Sequence, residues 1–391
     1  MNQAEKTRVV VTGLGVVSVA GFGKEQMWQA LLSGRSLATQ TPWSGTETMR
    51  CRKVCLVPSL RSNGNGQPCQ FTSILLQASR EAWQDAGLRN GSREMCVGVA
   101  LGTAEGSSRA QLELRENSGT RSLHGRHMPA AALIQEFQLD GPVCILPVAC
   151  AAGGMAIISA CLQIQNGRAQ VMMAAGADSL SRVPYAGFSS LRVLTADCTR
   201  PFDRGRSGFL LGEGAGVLIL ESLANARKRG ANIYAEVTGF GLGADAHHIV
   251  HPHPQAQGLV GAMNGALRMS GCAPEEIDYV NAHGTATVVN DRAECIAMRQ
   301  VFRNRSHQTP TSSLKSVLGH TMGAAGVIET IGCLLAMQHH CIPPTWNFEE
   351  PDPECDVDCV PNRPRPSKLR TVMKNSAGFG GSNCSLVFAA C

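Results

Sequence analysis

The stretch VCILPVACAAGGMAIISACLQIQNG, from Val143 to Gly167, decides the class of fold. Its first seven residues form an apolar run that predicts a buried strand, and the residues from Ala151 onward predict a helix that ends at Gly167. Cys150 lies on the turn between them. Strands that alternate with helices are typical of α/β proteins, so this stretch predicts an α/β fold with mostly parallel sheets.

The same alternation continues outward in both directions. Apolar runs from RVVVTGLG near the N-terminus to CSLVFAA near the C-terminus predict further strands, and FTSILLQASREAWQDAGL (71–88) and AQGLVGAMNGALRMSG (256–271) predict helices. The motif VTGLG at 11–15 recurs as VTGFG at 237–241, which predicts an internal duplication. We expect one half at 1–230, with an insertion near 105–142 that contacts a substrate or partner, and a second half at 231–391.

Composition limits the classes of function. The chain has 391 residues, 43% hydrophobic and 17% charged, and a net charge of +5, which is typical of a soluble globular protein. It contains no apolar run long enough for a membrane span, no block of Lys or Arg typical of nucleic-acid binding, and no signal peptide, so we expect a cytoplasmic protein. The 16 cysteines are then expected to be free thiols, buried and inert apart from Cys150.

The position of Cys150 is suited to a nucleophile. A helix N-terminus carries a partial positive charge, which lowers the pKa of a thiol. The small neighbours permit a tight bend and let a substrate carbonyl approach backbone N–H groups that stabilise an oxyanion. A buried structural cysteine is the alternative, and this stretch taken alone favours that alternative.

Other small-residue turns carry matching chemistry. His283 in YVNAHGTAT follows a predicted strand, and His320 lies in SLKSVLGHTMGAAGVIET with Lys315 and Glu329. NSAGFGGSN provides a glycine-rich loop around Phe379. Turns that follow parallel strands are where such folds place their active sites, so a thiol and two histidines on such turns predict one site.

The chain resembles the β-ketoacyl-acyl carrier protein synthases, condensing enzymes of the thiolase superfamily. The resemblance covers essentially the whole chain and rests on VACAAGG, RPFDRGRSGFLLGEGAGVLILE, VNAHGTATVVNDRAE, SLKSVLGHTMGAAGVIE and NSAGFGGSNCSLVF, which occur in the family's order. The elongating type with two histidines fits best. The resemblance implies a thiolase-like fold, internally duplicated and layered αβαβα with two mixed sheets.

The resemblance also implies roles for these residues. Cys150 would take an acyl group from a carrier-protein thioester, with the backbone N–H groups of Cys150 and Phe379 as the oxyanion hole. His283 and His320 would assist loss of CO2 from a malonyl unit and hold the resulting enolate. The remaining implied site residues are a buried ion pair of Lys315 and Glu329, the phosphopantetheine-binding hydroxyls of Thr285 and Thr287, and the substrate contacts Glu105, Phe188 and Phe379.

The sequence departs from the family pattern at several positions. Met155 stands where a histidine is usual, Ala377 where a phenylalanine is usual, Val250 where a threonine is common, and Glu105 where an apolar residue shapes the acyl pocket. A buried unpaired carboxylate disfavours a saturated alkyl chain. Either Glu105 faces a partner, or the enzyme serves a specialised type II polyketide pathway such as one making aryl polyenes. Housekeeping fatty-acid elongation and a structural subunit of the chain-length-factor kind are the alternatives.

Partners follow from the same resemblance. We expect an acyl carrier protein that docks at Arg192, Arg121 and Arg126, and either a homodimer or a heterodimer with a chain-length-factor-like homologue. No metal or dissociable cofactor is expected, although the loop DAHHIVHPHP resembles a metal-binding tract. A biosynthetic thiolase, with Cys384 as its second reactive cysteine, and a cysteine hydrolase are the rival enzymes.

Overall fold

The computed structural model describes residues 7–58, 70–89, 95–106 and 128–391. The strands are β1 (Val9–Ser18), β2 (Gly21–Phe22), β3 (Thr39–Gln40), β4 (Lys53–Val54), β5 (Val97–Gly102), β6 (Val143–Leu146), β7 (Val171–Asp178), β8 (Gly214–Ser222), β9 (Ala235–Ala244), β10 (Tyr279–Asn281), β11 (Thr311–Ser312), β12 (Cys341–Ile342), β13 (Arg365–Pro366), β14 (Thr371–Gly378) and β15 (Ser382–Ala389).

Helices alternate with these strands, as the sequence predicts. They are α1 (Lys24–Ser33), α2 (Gln70–Asp85), α3 (Met128–Phe137), α4 (Ala152–Gln165), α5 (Arg182–Ser190), α6 (Leu223–Lys228), α7 (Gln257–Ser270), α8 (Val288–Phe302), α9 (Lys315–Leu318) and α10 (Ala325–His339). Within the described ranges, every helix falls short of the length and apolarity that a membrane crossing requires.

The main sheet repeats one pattern of pairing. Its order is β11-β10-β14-β15-β9-β1-β8-β7-β5-β6. In one half β5 pairs in parallel with β6 and β7, and β8 pairs antiparallel with β7 and β1. In the other half β10 pairs in parallel with β11 and β14, and β15 pairs antiparallel with β14 and β9. The internal duplication and the mixed character of the sheets are therefore confirmed. The expectation of mostly parallel sheets is wrong, because the central strands of the network pair antiparallel.

Strands β1 and β9 join the two halves. They pair antiparallel at Val10↔Glu236 and Val11↔Ala235. This short pairing connects the two predicted sheets edge to edge, so that 11 strands form one hydrogen-bonded network. Strand β1 consequently lies in the middle of that network, and all 10 of its residues are buried.

The helices form the remaining layers. α4 and α10 contact each other and lie between the sheets, because α4 packs on β5 and β7 while α10 packs on both β8 and β14. On the outer faces, α2 packs on β1 and β8, and α7 packs on β9 and β15. The buried residues of α7 include Leu259, Ala262, Met263, Ala266 and Leu267, which share one helical face. This arrangement is the predicted αβαβα layering.

The cysteines are free thiols, as expected. All 15 cysteines in the described residues are unbridged. The expectation that they are all buried is wrong: Cys391 is exposed, and Cys96, Cys144, Cys198, Cys272 and Cys341 are half-buried.

Candidate active site

Cys150 lies on the predicted strand-to-helix turn. A 3-10 turn, Ala149–Ala151, connects β6 to α4 and holds Cys150 at its centre. Ala149 adopts the left-handed conformation, with φ of 43°, as the chain turns into the helix. The thiol is thereby placed two residues before Ala152, the first residue of α4.

The small residues after Cys150 allow the backbones of two helices to pack closely. A Cβ added to Gly153 would lie 2.7 Å from the carbonyl oxygen of Gly323. A Cβ added to Gly326 would lie 2.2 Å from the backbone nitrogen of Gly154. No side chain fits at such distances. The start of α4 therefore approaches the start of α10 closely, and this contact requires the glycines in addition to the sharp turn.

Burial controls the protonation of the thiol. Cys150 is 6% exposed, and burial raises its pKa to about 12. The charge of Lys315 and a hydrogen bond from the backbone N–H of Phe379 oppose this rise, whereas the carboxylates of Asp178 and Glu329 add to it. The predicted lowering of the pKa is wrong, because loss of solvent outweighs the helix N-terminus. The thiol needs a neighbouring base to take its proton.

His283 is held by its backbone and faces an ammonium group. It follows β10, and the N–H groups of His283 and Gly284 each donate to the Glu294 carboxylate at 2.8 Å. Burial raises the pKa of Glu294 to about 7, although these two hydrogen bonds oppose the rise. The Nζ of Lys315 lies 3.5 Å from Nδ1 of His283. An ammonium group opposite Nδ1 favours the tautomer that carries its hydrogen on Nε2.

The neutral ring of His320 also carries its hydrogen on Nε2. It lies between α9 and the 3-10 turn Met322–Ala324, and its Nδ1 accepts the backbone N–H of Met322 at 3.2 Å. Nε2 is then the donor. The centroids of the His283 and His320 rings lie 5.3 Å apart, with the ring planes at 82°. The structure thus brings together the two predicted histidines.

Both imidazoles are neutral near pH 7. Burial lowers the pKa of His283 and of His320 well below 6.5, and the charges of Lys315 and Lys374 lower both further. A neutral imidazole can accept a proton at one nitrogen and donate at the other. The pair can therefore act as a base toward a thiol or as hydrogen-bond donors to an anionic oxygen.

A buried ion cluster lies behind the histidines. Lys315 donates to Oε1 of Glu329 at 2.5 Å, which is the predicted ion pair. Lys374 also approaches this carboxylate, with its Nζ 3.0 Å from Oε2. Sequence reasoning missed Lys374, although a lysine within the strand sequence TVMKNSAG was a visible signal.

The glycine-rich loop brings Phe379 to the thiol. It connects β14 to β15, and the backbone N–H of Phe379 donates to the sulfur of Cys150. A Cβ added to Gly378 would lie 3.3 Å from the backbone nitrogen of Cys150 and 3.2 Å from that of Ala151. The loop therefore lies directly against the turn, and two backbone N–H groups are close to the sulfur.

A cavity of about 100 Å³ opens onto these groups. Its lining includes several of the predicted site residues, namely Cys150, His283, His320, Thr285, Thr287, Phe188 and Phe379. The hydroxyl oxygens of Thr285 and Thr287 lie 2.9 Å apart. Lys315 and Glu329 are not in the lining and lie behind it, fully buried.

Aromatic rings form one wall of the cavity. The ring of Phe188, on α5, lies 5.7 Å from the ring of Phe379 and 5.7 Å from that of Phe209. Phe209 packs edge-on against His320 at 4.9 Å. Phe209 was missed by sequence reasoning, because nothing in SGFLLGEG distinguishes it from a core residue.

Glu105 is not brought into this cavity. It follows β5 and is half-buried, and it is absent from the lining residues. Its backbone N–H donates to Asp178 at 2.9 Å, and the same carboxylate accepts from Thr103 at 2.7 Å and from Gly323 at 2.6 Å. Burial raises the pKa of Asp178 to about 6. Asp178, which was not predicted, therefore fixes the loop that carries Glu105.

The predicted carrier-docking arginines are only partly described. Arg192 is exposed just after α5, with φ of 56°, and lines a cavity of about 390 Å³ together with Arg50. Arg121 and Arg126 lie outside the described residues, as does most of the predicted insertion.

The histidine-rich loop organises its own backbone. Nδ1 of His248 accepts the N–H groups of Val250 and His251, at 3.0 and 3.1 Å. Among the described residues, no group of three or more His, Cys, Asp or Glu is arranged to hold a metal ion.

Comparisons with known proteins give consistent results. Two family models match the chain, "Beta-ketoacyl synthase, N-terminal domain" over residues 67–226 and "Beta-ketoacyl synthase, C-terminal domain" over residues 234–349. A 3-oxoacyl-[acyl-carrier-protein] synthase 2 from Coxiella burnetii is 38% identical over 98% of this chain and 99% of its own length.

Solved structures are similar over nearly the full length. One is a type II polyketide synthase acyl-carrier protein in complex with its ketosynthase bound to the hexaketide, with a TM-score of 0.91 and 30% identity over 99% of this chain and 100% of that chain. Another is the ishigamide ketosynthase/chain length factor, with a TM-score of 0.90 and 35% identity over 99% of this chain and 100% of that chain.

Proposed function

The chain belongs to the β-ketoacyl synthase family, and on that premise we propose that it lengthens conjugated or aryl-primed acyl chains in a specialised type II polyketide pathway. Its general activity is that of an acyltransferase, a ketosynthase of the 3-oxoacyl-carrier-protein synthase 2 or type II polyketide kind. The proposal concerns the substrate class, the roles of individual residues and the partners.

The aromatic wall of the cavity carries the proposal about substrate. Phe379, Phe188 and Phe209 present neighbouring rings beside Cys150. Conjugated chains are flat and rigid, and they stack on aromatic rings, whereas a saturated chain gains only apolar contact. Ala377 also lines the cavity with a small side chain, which leaves width for a rigid chain. Glu105 does not contribute, because it is not in the lining.

A ketosynthase bound to a hexaketide is among the similar structures, which further supports a polyketide substrate. The 38% identity to a 3-oxoacyl-carrier-protein synthase 2 favours the alternative, housekeeping fatty-acid elongation. The other alternative, a subunit of the chain-length-factor kind, is disfavoured by the thiol and two neutral imidazoles that share the cavity.

The first half-reaction begins at Cys150. An imidazole takes the thiol proton, and the thiolate attacks the carbonyl carbon of a carrier-bound thioester. The backbone N–H groups of Cys150 and Phe379 stabilise the oxyanion. When the tetrahedral intermediate collapses, the bond to the carrier sulfur breaks, and that sulfur takes the proton back. The acyl group is then joined to Cys150.

The second half-reaction forms the carbon–carbon bond. Malonyl-carrier loses CO2, and the electron pair of the broken bond forms a thioester enolate. The Nε2–H groups of His283 and His320 donate to its oxygen, which stabilises the charge as it develops. The enolate carbon attacks the acyl carbonyl, and the bond to Cys150 breaks with its electron pair on the sulfur. That sulfur takes up a proton from solvent, and the chain has grown by two carbons. This chemistry uses no group beyond the carrier's phosphopantetheine, for which Thr285 and Thr287 supply hydroxyls.

Two protein partners complete the proposal. An acidic carrier protein docks beside Arg192, which lies just beyond the cavity wall at the end of α5. A second ketosynthase-fold subunit, identical or of the chain-length-factor kind, pairs along β6. That strand ends the main sheet among the described residues, and Val143 on it is 45% exposed. The compartment we propose for this work is the cytoplasm.

Intact-mass spectrometry tests the proposal. The protein is incubated with malonyl-carrier and with saturated, conjugated or aryl-primed acyl-carriers, and Cys150→Ala is the control. We expect conjugated and aryl chains to load Cys150 and grow by two carbons faster than saturated chains. Preference for saturated chains would identify a fatty-acid elongation enzyme. Absence of transfer with every carrier, also when a chain-length-factor homologue is added, would overturn the catalytic proposal.

A further inference from the structure

Lys374 is a fully buried lysine whose ammonium group lies among three oxygens. Its side chain is 1% exposed on β14, between the sheet and α10. Nζ donates to the carbonyl oxygen of Asn375 at 2.7 Å and to the hydroxyl of Ser376 at 2.5 Å, and Oε2 of Glu329 lies at 3.0 Å. An ammonium group has three hydrogens, and three oxygens surround this one. A cation buried this deeply is uncommon without a function.

The charges in this cluster do not balance. Glu329 presents Oε1 to Lys315 and Oε2 to Lys374, so a single carboxylate faces two ammonium groups. The Glu294 carboxylate accepts the backbone N–H groups of His283 and Gly284 instead. One positive charge is therefore left over behind the cavity, in a region of low dielectric where charges act strongly.

Several elements contribute titratable groups around the histidines. The groups that face the histidines or the lysine cluster are Tyr279 on β10, Glu294 on α8, Lys315 on α9, Glu329 and Cys333 on α10, Lys374 on β14, Cys384 on β15, Asp178 at the end of β7, and Cys150 itself. Tyr279 and the thiols of Cys333 and Cys384 are neutral, because burial raises the pKa of each. The two lysines are consequently the cations of this set.

We propose that Lys374 is a positioning residue for the ketosynthase reaction. It shares the Glu329 carboxylate with Lys315, and the positive charge that remains unbalanced keeps His283 and His320 neutral at acidic pH. This inference rests on the proposed roles of the two histidines. Neutral imidazole can take the proton of Cys150, whereas imidazolium cannot. The same charge also favours the anionic enolate. Lys374 thereby widens the pH range in which the site works, without touching substrate.

The pKa directions agree with this geometry. The pKa of each histidine is lowered first by burial and then by Lys315, and Lys374 lowers both further. The pKa of Lys315 is lowered by burial and by Lys374, while Glu329 raises it. Removal of the Lys374 charge should therefore make both imidazoles easier to protonate.

The test compares Lys374→Met, which keeps the length of the side chain, with Lys368→Met, which removes an exposed lysine elsewhere. Histidine ring resonances of isotope-labelled protein are followed from pH 4.5 to 8, and the two site resonances are assigned with His283→Asn and His320→Asn. In Lys374→Met we expect both to titrate about one pH unit higher than in the wild type. The acid limb of the pH profile of malonyl-carrier decarboxylation should move to higher pH by a similar amount. Lys368→Met should change neither.

Unchanged titration in a folded Lys374→Met protein would overturn the proposal. If that variant does not fold, Lys374→Gln, which also removes the charge but keeps an N–H donor on the side chain, gives the same comparison. The wild type is itself decisive, because a site imidazole that titrates at 6.5 or above contradicts the inference. The ring titration needs no substrate. A protein that lacks decarboxylase activity would contradict the proposed function, while the resonances still decide the role of Lys374.

Discussion

The Nζ of Lys315 donates to the backbone carbonyl oxygen of His283 at 2.6 Å. This hydrogen bond ties α9 to the turn after β10, and the same ammonium group pairs with Glu329. The position of the His283 ring therefore depends on a charge that lies outside the cavity.

Replacement of Lys315 should damage catalysis more than folding. Lys315→Met removes the group that holds His283, and we expect malonyl-carrier decarboxylation to fall by about 100-fold or more. Glu329 keeps Lys374 as a partner, so the protein should remain folded. Decarboxylation and thermal unfolding are measured together, with Lys368→Met as the control. Activity within threefold of the wild type would show that the backbone contact is dispensable.

Two buried cysteines should respond differently to truncation. Cys150→Ala should abolish the acyl adduct, because Cys150 is the one cysteine among the described residues that line the cavity. Cys384→Ala should leave adduct formation within about threefold, at a stability cost of about 1 kcal/mol for the small void. Intact mass and urea unfolding provide the measurements. Loss of transfer in the Cys384 variant would instead support the thiolase interpretation.

Glu294 should make the protein less stable as pH rises. Its pKa is about 7 in the folded protein and 4.5 when unperturbed, so the folded state binds more protons between these values. The contribution of Glu294 to the free energy of unfolding is about 3 kcal/mol below pH 4.5, and it is lost as pH rises through 7. Glu294→Gln does not titrate. The free energy of unfolding, measured with urea at pH 5 and pH 8, should fall by about 3 kcal/mol less in the variant than in the wild type. An equal fall in both proteins would refute this account.

The aromatic wall should select for conjugated chains. Phe188→Leu keeps the apolar character and removes the ring, so we expect transfer of conjugated acyl groups to slow by about fivefold. Transfer of saturated chains should change by less than twofold. Competition between the two kinds of carrier, analysed by intact mass, measures the ratio directly. If transfer of both kinds of chain slows equally, Phe188 shapes the cavity but does not select for conjugated chains.

Sequence patterns located the turns of the candidate active site but not their electrostatics. Cys150, His283 and His320 each follow from a local pattern, a strand that ends in small residues, and this pattern is visible without tertiary structure. The pKa of Cys150 is raised because of burial by distant segments, which no local pattern records. Lys374 and Asp178 were missed for the same reason, since their partners lie 45 and 145 residues away.

Strand β1 has a consequence for synthesis of the chain. VVVTGLGVVS is synthesised long before its long neighbours, β8 and β9, which begin at Gly214 and Ala235. Until β8 and β9 have been synthesised, this apolar strand lacks its two long partners. Unpaired strands of this kind promote aggregation and attract chaperones. We expect ribosome-bound nascent chains that end before β8 to be held by a chaperone at residues 9–18, and chains in which β8 and β9 have emerged from the ribosome to be released.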